Sequence, residues 1–158
     1  MGTLAPLFAA ILLVGPAPAG EAEGPSRSEY VERVEPICKR GDEANDRILK
    51  GSLGKIKRGE LPAAGRQVIR AADAFGKSVE KLAAVPRPVD DELRLERWFE
   101  RLEEVENELR SVGIALKRDN KVRANHAAIR AERSGNAANN ASIAMGFDHC
   151  RFKGSRLT

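Results

Sequence analysis

The sequence predicts an all-α protein built as a four-helix up-down bundle. Three observations predict it. Apolar residues recur at intervals of three and four in four separate stretches, the period of a helix face. Clusters of glycine and proline separate those stretches. Hydrophobic residues make up 42% of the chain but aromatics only 4%, so the core must be mainly Ala, Val, Leu and Ile, which suits closely packed helices. No stretch alternates apolar and polar residues as a half-buried strand does, and no internal repeat is present. At 158 residues the chain is long enough for about one domain.

The chain divides into a leader at 1–19, a tether at 20–25, a helical domain at 26–152 and a tail at 153–158. The leader reads as a signal peptide. Leu4 to Val14 is an almost unbroken apolar run, too short for a stable span, and Ala17-Pro18-Ala19 offers the small residues that a signal peptidase inspects. Its amino-terminal end carries no Lys or Arg, and no Cys follows the run as a site for acylation. The mature protein is expected to be secreted or held in the cell envelope, with no stable membrane span once the signal is cleaved.

Ser26-Arg27-Ser28-Glu29 fits a capping box that opens the first helix. Tyr30, Val34, Ile37, Ala44 and Ile48 then keep helical spacing, with Val31, Cys38 and Leu49 beside them. Pro36 removes one hydrogen bond from this helix and predicts a kink near Cys38. Residues 51–60 read as a glycine-punctuated basic connection. The second helix starts near Leu61, with Pro62 in its first turn, and carries Val68, Ala72, Phe75, Val79 and Leu82. Val85 to Asp90, "VPRPVD", ends it. The third helix has acidic residues at its start, where the helix dipole favours them. Its seam is Leu95, Phe99, Leu102, Val105, Leu109, Val112 and Leu116. The fourth carries Val122, Ile129, Ala137, Ala141 and Ala144, and Ala137, Ala141 and Ala144 are expected to face inward. Gly146 should stop it, with Phe147 packing back on the last turn.

The chain has two cysteines, Cys38 and Cys150. An even number in an exported protein points to a disulfide; a free reactive thiol and a metal ligand are the competing readings. Geometry permits the bond. Cys38 lies about 15 Å along its helix, and the tail from Gly146 can extend by about 13 Å. A metal site involving His149 would need about four ligands, and neither His126 nor any paired-ligand motif supplies them. No metal and no cofactor are therefore expected.

Glu92, Glu96, Glu100, Glu104 and Glu108 recur at every fourth position of the third helix, with Arg97, Arg101 and Arg110 among them. That pattern reads as a solvated, partly neutralised face. With 27 basic and 23 acidic residues interspersed and few aromatics, no nucleic-acid surface is expected. Neither a nucleophile elbow, a phosphate-cradling loop nor a zinc-protease motif is present. Asn136, Asn139 and Asn140 lie among alanines although Asn is a poor helix former. With Phe147 they form a candidate interaction patch, weighed against an ordinary exposed face.

Two segments carry a resemblance: "YVERVEPICKRGDEAN" in the first helix and "NNASIAMGFDHC" at the end of the fourth. They resemble a group of uncharacterised exported or lipoprotein-like helical proteins of high-GC, actinobacteria-type bacteria. In that group a first-helix Cys accompanies a C-terminal Gly-[Phe/Leu]-x-x-Cys. The chain departs from acylated members by lacking their lipid-bearing cysteine. The resemblance implies the Cys38–Cys150 pairing and no activity.

The functional expectation is a non-enzymatic helical module that binds a protein or an envelope component. The alternatives are an extracytoplasmic small-molecule carrier using the bundle interior and a small helical hydrolase or mutase. A well-formed internal pocket would point to the carrier. Arg and Glu converging in a cleft would point to the enzyme. A filled core with surface patches only would point to the interaction module.

Overall fold

The structure, a computed structural model, describes residues 24–153. The expected signal peptide and the last residues of the tail lie outside the described residues. Among the described residues the elements are α1 (Arg27–Leu49), α2 (Ser52–Lys57), α3 (Leu61–Ala83), a 3-10 turn (Val89–Asp91), α4 (Glu92–Lys117) and α5 (Lys121–Met145). The four long helices pack together as the all-α bundle the sequence predicts. Within the described residues no helix is long and apolar enough to cross a membrane.

The capping box at the start of α1 is formed. Ser26 Oγ accepts from the Glu29 amide at 3.3 Å, and the Glu29 carboxylate accepts from the Ser26 amide at 2.8 Å. The Glu29 carboxyl is held below its usual range, chiefly by the Ser26 amide and then by its hydroxyl. Pro36 is exposed, and the helix runs on through it to Leu49. The connection expected at 51–60 contains the short helix α2. Gln67 on α3, almost fully buried, ties this corner together. Its amide nitrogen donates to the Lys50 carbonyl at 2.9 Å, and its oxygen accepts from Lys55 Nζ at 2.8 Å.

Asp91, also buried, joins the starts of two helices. Arg27 donates to it twice at 2.7 Å, and Arg94 donates to it as well. A buried carboxylate is retained because charged donors compensate its lost hydration.

Helices α3, α4 and α5 form a closely apposed layer. The α4 seam lies where expected, with Leu95, Phe99, Leu102, Val105, Leu109, Val112 and Leu116 all buried. At Gly65 of α3 an added Cβ would stand 2.5 Å from the Gly113 carbonyl oxygen and the Lys117 amide nitrogen of α4, so the two backbones touch.

The inward face of α5 differs from the expectation. Ala124, Ala127, Ala131, Gly135, Ala138, Ser142 and Met145 are buried. Val122 and Ile129 are 69% and 48% exposed, Ala137 and Ala144 are exposed, and Ala141 is half-buried. The physical reason is size. The axial distance between helices follows the side chains at their contact. A continuous Ala/Gly/Ser stripe lets α5 approach α4 more closely than β-branched residues would.

The large side chains collect at the other side of the molecule. Tyr30 and Phe147 ring centroids are 6.2 Å apart, Trp98 and Phe147 5.1 Å, and Trp98 and Phe99 4.9 Å. The Arg87 guanidinium lies 4.5 Å from the Phe99 centroid. This cluster bridges α1 to α4 and α5. Gly146, at φ 80°, ends α5 in the left-handed conformation, and the Phe147 amide donates back to the Ser142 carbonyl at 2.9 Å. That Schellman-type turn aims Phe147 into the core.

Candidate functional site

After Phe147 the chain crosses from α5 to α1 as a strap. Its fixed point is the Cys38–Cys150 disulfide, with Cα atoms 5.0 Å apart. The Glu35 carboxylate accepts from the Asp148 and His149 amides at 2.7 and 2.9 Å. Lys153 Nζ reaches Asp42 at 2.9 Å. On the α5 side, Asn139 pairs with both backbone polar groups of Phe152, at 2.9 and 2.6 Å, as a neighbouring strand would. Ser142 Oγ donates to the Cys150 carbonyl at 3.0 Å.

Beneath the strap lies a cavity of about 100 Å³, walled by α1, α3, α4 and residues 149–153. Its interior is apolar: Leu49, Val68, Phe75, Val79, Leu82 and Leu102 line it, and the disulfide forms part of its wall. Its edge is polar. Asp42, Asn45 and Asp46 come from one face of α1, because positions three and four apart lie together on a helix. Arg151 and Lys153 come from the strap.

Two side chains lining this cavity hold buried polar atoms without a hydrogen-bond partner among the described residues: Trp98 Nε1, a donor, and Asn45 Oδ1, an acceptor. A buried polar group left unsatisfied costs about 1–3 kcal/mol. A third such atom, the Tyr30 hydroxyl, belongs to the aromatic cluster. Burial pushes the Tyr30 pKa up to about 12, against a smaller lowering effect of Arg87.

The candidate residues read from the sequence separate into two groups. Cys38 and Cys150 are joined, and no free cysteine is present among the described residues. The Asn/Phe patch does not form one surface. Phe147 is fully buried and Asn139 is committed to the strap, while Asn136 and Asn140 are exposed. Within the described residues no group of three or more His, Cys, Asp or Glu side chains is placed to hold a metal ion.

Two members of the glutamate ladder are paired. Glu108 meets Arg130 at 2.7 Å, and Glu104 meets both Arg101 and Ser134 at 2.8 Å. Hydrogen bonds from Arg101 and then Ser134 hold the Glu104 carboxyl below its usual range.

A second, wider groove between α4 and α5 is lined by Arg94, Arg97, Arg101, Trp98, Asn140 and Leu93. Its charges largely cancel. Arg94 is bound to Asp91 and Arg101 to Glu104, and Asp90 and Glu100 also face it. Two of its three arginines, Arg94 and Arg101, are thus held in ion pairs.

Sequence reasoning missed the cavity and its reporter, Trp98. The available signal was the placement of Trp98 beside the Leu95/Phe99/Leu102 seam, which widens the apolar face of α4 toward α1. No family model matches the chain, and no curated protein or solved structure matches it.

Proposed function

We propose that this chain is an extracytoplasmic, non-enzymatic binding module that holds a small, largely apolar molecule in the cavity beneath its C-terminal strap. The observation that carries the reading is that cavity: an apolar interior with one unpartnered donor and one unpartnered acceptor in its lining. Ligand sites of this kind are concave and mostly apolar, with a few polar groups that fix orientation. A cavity of about 150 Å³ holds benzene, so by proportion this one suits a body of about four carbons. The extracytoplasmic address rests on the leader-like sequence at 1–19 and on the disulfide, which suits an oxidising compartment.

Trp98 is the sole tryptophan and lines the cavity, so its fluorescence reports directly on occupancy. Titrating the disulfide-bonded protein with isoamyl alcohol should give a saturable change in Trp98 emission and a rise in melting temperature. At ten times Kd the stabilisation should be about 1.4 kcal/mol. A change that stays linear in alcohol concentration, with an unchanged melting temperature, would remove the proposal.

The surface of α5 favours a second reading. Val122, Ile129 and Ile143 are exposed at intervals of seven or fourteen, with Asn136 in the same row. A protein or envelope partner could bind along that row. In that case Ile129→Glu would weaken recovery of the protein with native envelopes while leaving alcohol binding intact.

A further inference from the structure

The polar edge of the cavity has an order that the apolar interior does not explain. The acceptors Asp42 and Asn45 come from α1, and the cations Lys153 and Arg151 come from the strap. Across this edge Lys153 Nζ pairs with Asp42 Oδ2 at 2.9 Å, with side chains 45% and 32% exposed. A pair this exposed contributes only about 0–1 kcal/mol, so opening it costs little. Once parted, it presents an anionic acceptor and a cationic donor across one short gap, directly above an apolar chamber. Asn45, whose buried side-chain oxygen has no partner among the described residues, lines the same edge.

We infer that the cavity takes a small zwitterion with an apolar side chain, of the α-amino-acid class, and this inference rests on the cavity being a ligand site. The ligand's ammonium group inserts on the α1 side. It donates to the Asp42 carboxylate and to Asn45 Oδ1, which supplies the partner that acceptor lacks. The ligand's carboxylate turns to Lys153, with Arg151 lining the same edge. The original ion pair is thus replaced by two, Asp42 to ammonium and carboxylate to Lys153, and both of its members keep a partner. The side chain lies below, among Leu49, Phe75 and Val79. A cavity of about 100 Å³ matches a branched aliphatic side chain better than an indole.

The recognition logic separates this ligand from its nearest relatives. A plain amine would leave Lys153 without its anion, and a plain acid would leave Asp42 without its cation. Both groups are partly exposed, so water solvates whichever is left unpaired, and each analogue forfeits one surface ion pair, a bias of up to about fivefold.

The test compares L-leucine with isoamylamine, which lacks its carboxylate, and isocaproic acid, which lacks its amine. Trp98 fluorescence and calorimetry on the disulfide-bonded protein give the affinities. Leucine should bind about two- to fivefold more tightly than either analogue. In Asp42→Asn it should lose its advantage over isocaproic acid, and in Lys153→Met its advantage over isoamylamine. Melting curves without ligand confirm that both variants are folded. If isoamyl alcohol binds but leucine binds no better than its analogues, the zwitterion inference falls and the cavity reading stands. If neither the alcohol nor leucine binds, both fall.

Discussion

Two halves of this bundle solve the packing problem in opposite ways. In the α3–α4–α5 layer, Gly65 meets Gly113 backbone to backbone, and α5 presents an Ala/Gly/Ser stripe to α4. In the α1–strap half, the gap between helices is spanned by Tyr30, Trp98, Phe99 and Phe147, and by a disulfide. Small side chains let helix axes approach until no space remains. Large ones hold helices apart, and the cavity lies in this half, where α1 and the strap stand off from α3 and α4 with Trp98 in the wall. Room for a ligand is found where packing is incomplete. The covalent bond and the strap's hydrogen bonds are what hold that half closed.

If that contrast is right, the largest effect should come from cutting the strap's covalent anchor. The disulfide closes a loop with a sequence separation of 112 residues. In the chain-entropy model its removal costs about 4–5 kcal/mol, and less if the native bond is strained. Cys38→Ala, Cys150→Ala and the double variant should lose similar amounts of stability, because all three remove the same bond. Guanidinium unfolding midpoints measure this. A loss below about 1 kcal/mol would mean that packing alone holds the strap, and the contrast between the halves would be broken.

The next effect belongs to the tight half. In Gly65→Ala the new methyl would meet backbone atoms of α4 at 2.5 Å, and backbone cannot rotate aside. The helices must separate, loosening Val68, Val112 and Leu116 around the contact. Overpacking of this kind costs about 1–3 kcal/mol, more than the helix-propensity gain of about 1 kcal/mol from replacing Gly by Ala. Urea denaturation should show a lower midpoint at unchanged slope. An unchanged or raised midpoint would show that α3 and α4 have slack.

The two halves were also unequally legible in the sequence. The α4 seam could be read because Leu95, Leu102 and Leu109 are large, regularly spaced and flanked by charge. The Cys38–Cys150 pairing follows from the count of two cysteines and the expected compartment, neither of which depends on helix orientation. The inward face of α5 is not legible from apolar residue type. Where backbones touch, the buried residues are the smallest ones, and Val122 and Ile129 are left outside. The cavity was not legible because it belongs to no element. It exists only once α1, α3, α4 and the strap are placed around it, and Asn45 and Lys153 are ordinary surface residue types in an ordinary pattern. Asn139 is unusual within a helix, and its reason lies in the backbone of Phe152, which no helical periodicity can point to.

The smallest effect gives the sharpest comparison, because it repeats the same substitution in the loose half. Gly41 lies within α1 and lines the cavity. An added Cβ there would meet the Ser78 hydroxyl at 2.8 Å and the Ser78 Cβ at 3.2 Å, and no backbone among its nearest neighbours. The hydroxyl now donates to the Ala74 carbonyl at 3.1 Å and can turn to another rotamer. α1 must still yield by a few tenths of an ångström, and the cavity beside it gives it room to do so. Against this small strain stands the gain of about 1 kcal/mol for Ala over Gly in a helix interior. Gly41→Ala should therefore range from neutral to about 1 kcal/mol stabilising, the opposite sign to Gly65→Ala. It should also weaken isoamyl alcohol binding by narrowing the chamber. A urea midpoint that falls as far as that of Gly65→Ala would show α1 to be packed as tightly as α4, leaving no loose half in which a ligand could lie.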